Sequence, residues 1–362
     1  MGNNVLYKSV GGGPRNSSIE LFRILATFLV LIVHLNGYFI GLDVHEFNFH
    51  SFPQIVVEAL SCVAVNGFIL ISGFFGVKLS FHTLWKLWSA LFCIYVPLFI
   101  LKLVFDDPNE EWNYLHGFLC AIFPFSTRDG YFVNGYIFLI LASPFLNTYV
   151  KNHSRKHFLH FTIGLLLFEF WVDCICNLKT FHFSEGYSGL HFCLLYLVGQ
   201  CIKLYYEDLK KVKTLVYLAV YVGMTAIIVG LSIFKVSWTY DYSNIFMIIS
   251  AVSLFLVFAV RKPFYNNFIN RIAQCSLFVY ILQICSPFMG WLCKIDYYLL
   301  NNYTWTIYFI LIVLLSLIFY LFCFVWDYAR QIVTKKIFDS IESLINRLSQ
   351  KYQSKVIRKK YI

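Results

Sequence analysis

Apolar residues run along this chain in blocks of about twenty, separated by short polar stretches. The blocks do not alternate with period two over about ten residues, as barrel strands would. They predict membrane-spanning helices near residues 19–40, 53–77, 84–105, 131–150 and 157–176, then near 188–206, 214–234, 242–260, 272–293 and 304–328. Lipid offers a backbone no hydrogen-bond partner, so a span of this kind closes its own bonds as a helix. A further run, WNYLHGFLCAIFPF at 112–125, is apolar but short and holds His116, Gly117 and Pro124, which predicts a segment dipping from a loop. The expected fold is all-α: a polytopic bundle of about ten transmembrane helices whose solvent is mostly the lipid bilayer.

Composition agrees and excludes the other classes. Hydrophobic residues make up 59% of the 362 and charged ones 13%, against about 25% charged in a soluble domain, which removes disorder, fibre and ordinary globular protein together. Charge then sets orientation. With the N-terminus cytoplasmic and the ten longer runs crossing, the basic clusters at Lys151–Lys156, Lys203–Lys213 and Arg261–Arg271 join Lys8, Arg15, Lys78 and Lys86 on the inner side. Only Lys102, Arg128, Lys179, Lys235 and Lys294 fall outside, as the positive-inside tendency requires. Counting 112–125 as a crossing would reverse that distribution.

The opening MGNNVLYKSVGGGPR is polar and glycine-rich, which predicts a retained first helix and no cleaved signal. In the tail, Val333, Ile337, Ile341, Leu344, Ile345 and Leu348 recur every three or four residues among basic ones, the pattern of an amphipathic helix on an anionic leaflet. The expected organisation is a cytoplasmic tail (1–18), a transmembrane domain (19–328) and a basic amphipathic tail (329–362), with both termini cytoplasmic. The eleven cysteines lie mostly inside apolar runs and read as buried free thiols. Cys174 and Cys176 sit close together, but no metal-ligand spacing stands out. No metal, no tightly bound cofactor and no nucleic acid is expected.

Candidate chemistry concentrates in the first run, IELFRILATFLVLIVHLNGYF. Arg23 and His34 are eleven residues apart, and eleven helical steps return to within about 20° of the start, so both project from one face about 16 Å apart. Glu20, one turn before Arg23, can pair with it. Two ionisable groups on one face of a membrane helix mark a wet or functional cavity, because burying them in lipid is costly.

These residues resemble the signature first helix of the acyltransferase-3 family of membrane O-acyltransferases: an arginine, ten residues, a histidine, and an acid three before the arginine. VNGFILISGFFGV (65–77) is similar to the family's Ser-Gly-Phe segment. GYFVNGYIFLILASPFLN (130–147) is close to its tyrosine-rich run, SGLHFCLLYLVGQCIK (188–203) to its middle helix and CSLFVYILQ (275–283) to its ninth. The likeness covers roughly 17–328. Two positions depart from it. The arginine-rich start of the third helix is replaced by SFHTLWKLW (80–88), with His82 and Lys86, and the usual terminal histidine of the ninth helix is Gln283.

The resemblance implies transfer of an acyl group, most often acetyl, from cytoplasmic acyl-CoA to a sugar hydroxyl of a surface glycan or its lipid-linked precursor, in a bacterial inner membrane. Acetyl-CoA is then a donor substrate whose phosphates meet Arg23, Lys78, His82 and Lys86. His34 acts as general base or takes the acyl group itself. Candidate acidic partners are Glu58, Asp43, Glu46 and the more remote Glu169. Asn36, Asn66, Ser72, Asn134 and Tyr280 are candidates to stabilise an oxyanion or orient the base. Tyr38, Trp112, Tyr131 and Tyr187 could stack on a sugar or simply form an interfacial aromatic belt. Two other classes fit the same ionisable stripe: a transporter or flippase for lipid-linked sugars, and a structural membrane subunit.

Overall fold

Ten helical stretches correspond to the ten predicted runs, but they are unequal in length and continuity. The computed structural model describes residues 15–38, 51–105, 114–123 and 131–360, and no strand occurs among them. Seven helices are long and apolar enough to cross a membrane: Ser17–Gly37, Phe52–Phe75, Thr83–Val104, Tyr131–Asn152, Arg155–Ile175, Thr214–Ile233 and Trp305–Ile332. A bent pair, Asn267–Ile284 with Phe288–Asn302, makes an eighth if it counts as one span. Gly189–Leu204 and Ile245–Ala259 are apolar but shorter. The chain is an all-α, multi-pass membrane protein.

In chain order the helices are α1 (Ser17–Val33), α2 (Phe52–Ser61), α3 (Ala64–Phe75), α4 (Phe81–Phe105), α5 (Tyr114–Ile122), α6 (Tyr131–Asn152), α7 (Arg155–Glu169) and α8 (Gly189–Leu204). There follow α9 (Tyr206–Leu209), α10 (Thr214–Ile233), α11 (Ile245–Ala259), α12 (Asn267–Ile272), α13 (Ser276–Ile284), α14 (Ser286–Asn302) and α15 (Trp305–Lys360). Among the described residues, the run at 112–125 yields the nine-residue α5, about 14 Å long and shorter than a crossing needs. It lies against α4, with Trp88 Nε1 donating to Ile122 O at 3.0 Å.

The run expected as one span at 272–293 is instead bent by 76°. Cys285 is extended and a proline occupies the first turn of α14, so the backbone cannot continue helically through that point. Beyond the last predicted run, α15 continues unbroken for 56 residues, about 84 Å. The expected boundary at 328–329 is therefore a change of surface along one helix: Val325 is exposed and apolar, and from Arg330 basic residues accumulate.

The centre of the bundle is α8, in which every residue from His191 to Ile202 is buried. Its contact with α3 is as close as backbones allow. A Cβ on Gly199 would lie 2.6 Å from Gly73 Cα and 2.7 Å from Leu70 O, and one on Gly73 would collide with Tyr196 O. Small residues facing one another are how membrane helices gain contact area where lipid supplies no hydrophobic driving force. The glycine of the Ser-Gly-Phe segment thus serves packing. Around it, Gln200 Nε2 donates to Gly73 O at 2.6 Å. Tyr196 Oη donates to Asn147 Oδ1 at 2.6 Å, and Asn147 Nδ2 donates to Val77 O at 2.8 Å. The Pro-Phe-Leu-Asn segment therefore latches the turn that follows α3.

At the opposite end of α8 the connections 176–188 and 234–244 are stitched together. Tyr242 N donates to Glu185 O at 2.9 Å, Lys179 pairs with Glu185 at 3.1 Å, and Ser243 Oγ donates to Asp173 Oδ2 at 2.7 Å. Asp241, half-buried in this loop, has its carboxyl pushed from an ordinary 3.8 up to about 7, first by burial and then by the charges of Glu185 and Asp173, with Lys179 partly offsetting them.

Two outcomes follow. Gly199→Ala should force α3 and α8 apart and cost about 1–3 kcal/mol, seen as a lower thermal unfolding midpoint in detergent, whereas Gly223→Ala, whose Cβ meets nothing within 4 Å, should leave the midpoint in place. Because Asp241 binds a proton more readily folded than unfolded, its contribution is present at acidic pH and lost as pH rises from about 4 to about 7. The midpoint should fall over that interval, and fall less in Asp241→Asn.

Candidate functional site

The site is organised by α1. Its first turn is tied down by two serines: Ser17 Oγ donates to Asn270 Oδ1 at 2.8 Å and Ser18 Oγ to Phe258 O at 2.7 Å. Asn16 caps the helix, accepting from Ser18 N at 3.0 Å. One turn on, Glu20 is buried and accepts from Arg23 Nη1 at 2.7 Å, with Arg15 Nη1 at 3.9 Å from its other oxygen. One carboxylate between two guanidiniums leaves a net positive patch, and the Arg23 side chain remains 25% exposed.

Two adjoining cavities open from this patch, sharing Arg15, Arg23, Ser72 and Tyr136. The smaller, about 160 Å³, reaches Glu20, Lys78 and Thr83. The larger, about 410 Å³, runs along α1 to Val30 and is walled by Phe68, Phe132 and Tyr280. Polar groups therefore lie at one end and aromatic or aliphatic ones at the other. Lys78 is presented to the smaller cavity by the turn after α3, where Gly76 adopts φ 84°, a conformation a side chain would strain, and Val77 N donates to Tyr196 Oη at 3.1 Å.

His34 follows Val30 by one turn on the same face of α1, just past the far end of the larger cavity, whose lining ends at Val30 on this helix. There the helix widens into a π-turn, His34–Tyr38, a feature frequent at functional sites. The turn is clamped from both sides. Asn36 Nδ2 donates to Glu58 Oε2 at 2.8 Å and to Gln54 O at 2.9 Å. A Cβ on Gly37 would strike the Glu58 carboxyl at 2.8 Å. Tyr308 Oη lies 3.3 Å from Leu35 O and donates to the buried Asp296 at 3.0 Å. The fully buried side-chain amide of Gln283 lies beside the His34 imidazole.

The predicted candidates thus separate. Arg23, Glu20, Lys78, Ser72 and Tyr280 surround the cavities, with Ser72 Oγ 3.3 Å from Tyr136 Oη. Glu58 approaches the π-turn through Asn36 and also accepts from Cys62 Sγ one turn along its own helix. Asn66 is instead taken out of reach: fully buried, it donates to Tyr242 O at 2.9 Å and turns Oδ1 to His191 Nε2 at 3.2 Å. Glu169 accepts at 2.9 Å from Nδ1 of that same His191. Asn134 is exposed on α6 and lines neither cavity. The side chains of His82, Lys86 and Tyr38, and residues 39–50 and 106–113 with Asp43, Glu46 and Trp112, lie outside the described residues.

Sequence reading missed His191 and Asp296. His191 sits in the quoted SGLHFCLLYLV segment, and an ionisable residue within an apolar run was its available signal.

The chain matches the acyltransferase-3 family, described as an acyltransferase domain, over residues 16–321, from the cap of α1 into α15. Neither a curated protein nor a solved structure matches it.

The Glu169–His191–Asn66 cluster, buried and outside both cavities, should behave as a lock between α7, α8 and α3. Glu169→Ala leaves His191 Nδ1 without its partner in a fully buried place, which costs about 1–3 kcal/mol. The expected result is a lower thermal midpoint, restored in part by Glu169→Gln, which keeps an oxygen there.

Proposed function

The chain belongs to the acyltransferase-3 family and is a membrane acyltransferase, and on that premise we propose that it moves an acetyl group from acetyl-CoA to a hydroxyl of a glycan or of a lipid-linked saccharide. The observation that carries this reading is the graded cavity along α1, cationic at Arg15, Arg23 and Lys78 and apolar toward Val30, Phe132 and Tyr280. Coenzyme A has the same polarity gradient. Its phosphates suit a paired guanidinium patch, which forms charge-assisted and bidentate contacts, and its slender arm suits the apolar walls.

In this reading Glu20 holds Arg23 in place for the donor and is not itself a proton carrier. The thioester arrives near the far end of the cavity, one turn short of His34. There a neutral imidazole takes the proton of the attacking sugar hydroxyl, and the thiolate of coenzyme A leaves as the new ester forms. The acceptor reaches His34 from the side away from Arg23. Tyr280, in the lining of the larger cavity, donates to the developing oxyanion. Both termini lie in the cytoplasm of a bacterial cell, the protein sits in its inner membrane, and the basic continuation of α15 faces the anionic leaflet.

Glycans from cells carrying the intact protein should gain one acetyl unit per modified sugar by mass, and membranes given acetyl-labelled acetyl-CoA should transfer that label to glycan. His34→Ala should lower the transfer rate by about 10²–10⁴-fold while the protein remains in the membrane. Arg23→Ala should raise the KM for acetyl-CoA about tenfold or more. Wild-type transfer by His34→Ala, or an unchanged KM and turnover in Arg23→Ala, would refute the assigned roles.

A further inference from the structure

The two cavities beside Arg23 are not equivalent, and their difference separates two parts of the donor. Arg15, Arg23, Ser72 and Tyr136 belong to both and mark the junction. Lys78 and Thr83 line only the smaller cavity, whereas Val30, Phe132 and Tyr280 line only the larger. With about 160 Å³ against about 410 Å³, the smaller is a side branch of the larger.

Coenzyme A is branched in the same way. Its pyrophosphate is bonded directly to the arm that ends in the thioester, whereas its remaining phosphate is a monoester on the ribose, off the line of the arm. With the arm along the larger cavity, the pyrophosphate falls at the junction and the monoester falls to the side. The cations divide to match. At the junction two guanidiniums share Glu20, and planar forks suit the paired oxygens of a phosphodiester chain. On the branch stands an ammonium, a compact point charge with three rotatable donors. It suits a terminal monoester, which carries about −1.5 to −2 charges at pH 7 on three oxygens.

The turn that presents Lys78 is built from several directions. Gly76 takes a positive φ of 84°, and both backbone polar groups of Val77 are bonded. Its N–H donates to Tyr196 Oη on α8 at 3.1 Å, and its carbonyl accepts from Asn147 Nδ2 on α6 at 2.8 Å. Across the link to α4, Ser80 Oγ accepts from Thr83 N at 3.2 Å and lies 2.8 Å from the Thr83 hydroxyl. Two distant helices thus fix a turn whose lysine side chain is exposed. Substituting an exposed side chain ordinarily changes stability little, so Lys78 can be altered without unfolding the bundle.

We propose that the smaller cavity is the subsite for the ribose phosphate of coenzyme A, with Lys78 as its specificity-determining contact. The subsite selects free coenzyme A thioesters as the donor class over thioesters on a protein's phosphopantetheine arm, where that monoester is missing. The inference rests on the reading of the larger cavity as the channel for the donor's arm.

The intact protein in lipid nanodiscs is titrated with coenzyme A and with 3′-dephospho-coenzyme A, a readout that needs no acceptor. Wild type should bind coenzyme A about ten- to a hundredfold more tightly, the worth of one hydrogen bond to a charged group. Lys78→Ala should bind both ligands at the weaker level, and Lys78→Arg should keep most of the preference. Arg23→Ala should weaken both ligands by the same factor and leave the preference intact. In native membranes the KM for acetyl-CoA should rise in Lys78→Ala about tenfold or more, with kcat within about twofold.

Equal affinity of the wild type for the two ligands, a preference that survives in Lys78→Ala, or a loss in Lys78→Ala shared equally by both would each overturn the subsite. Failure of the wild type to bind either ligand would sink the reading of the cavities as a coenzyme A site, and the subsite with it. The first three results leave coenzyme A bound and the last does not, so the two failures are distinguishable.

Discussion

A polar group inside a membrane bundle must find its partner within the protein, because lipid supplies none and an orphaned group costs several kcal/mol. The arrangement around α1 follows from that constraint. At one end Glu20 collects Arg15 and Arg23, and at the other Tyr308 donates to the π-turn's Leu35 O while the Asn36 side chain donates to Glu58 and to Gln54 O. Between them runs a cavity whose lining changes from cationic to apolar. The helix is a ruler about 16 Å long with a charge at one mark and an imidazole at the other.

The same constraint explains why the centre of the bundle is polar where it carries no chemistry. Asn66, Glu169 and His191 are fully buried and bonded to one another, joining α3, α7 and α8. That cross-link and the backbone contact at Gly73 and Gly199 hold α3 rigidly on α8. Since α3 forms the cavity wall facing α1, through Phe68, Ile71 and Ser72, packing at the centre is transmitted to the dimensions of the site. Conserving energy at the core and shaping the site are here one task, carried by different side chains of the same helix.

Much of this was legible in the residues themselves. Helix position follows from runs of apolar side chains because the bilayer imposes a length and a hydrogen-bonding rule, and the Arg23 and His34 stripe follows from helical periodicity alone. The pairing of Glu20 with Arg23 is a local three-residue contact and needs no tertiary information. By contrast, Glu169, the more remote acidic candidate, and Asn66, a candidate to orient the base, could not be separated from the site by local pattern. They are drawn to His191, and nothing local says which of several buried polar groups will meet.

Sequence by itself determined the all-helical membrane fold and a first helix bearing a cation and an imidazole on one face, since each depends on composition or on spacing along a single helix; the family followed from likeness along most of the chain. Tertiary structure alone decided that α1 would open into a π-turn at His34 and that Glu169 and Asn66 would both meet His191. Those outcomes depend on how helices distant in sequence pack, and contacts between them are settled by shape and by the competition of all buried polar groups for the same few partners.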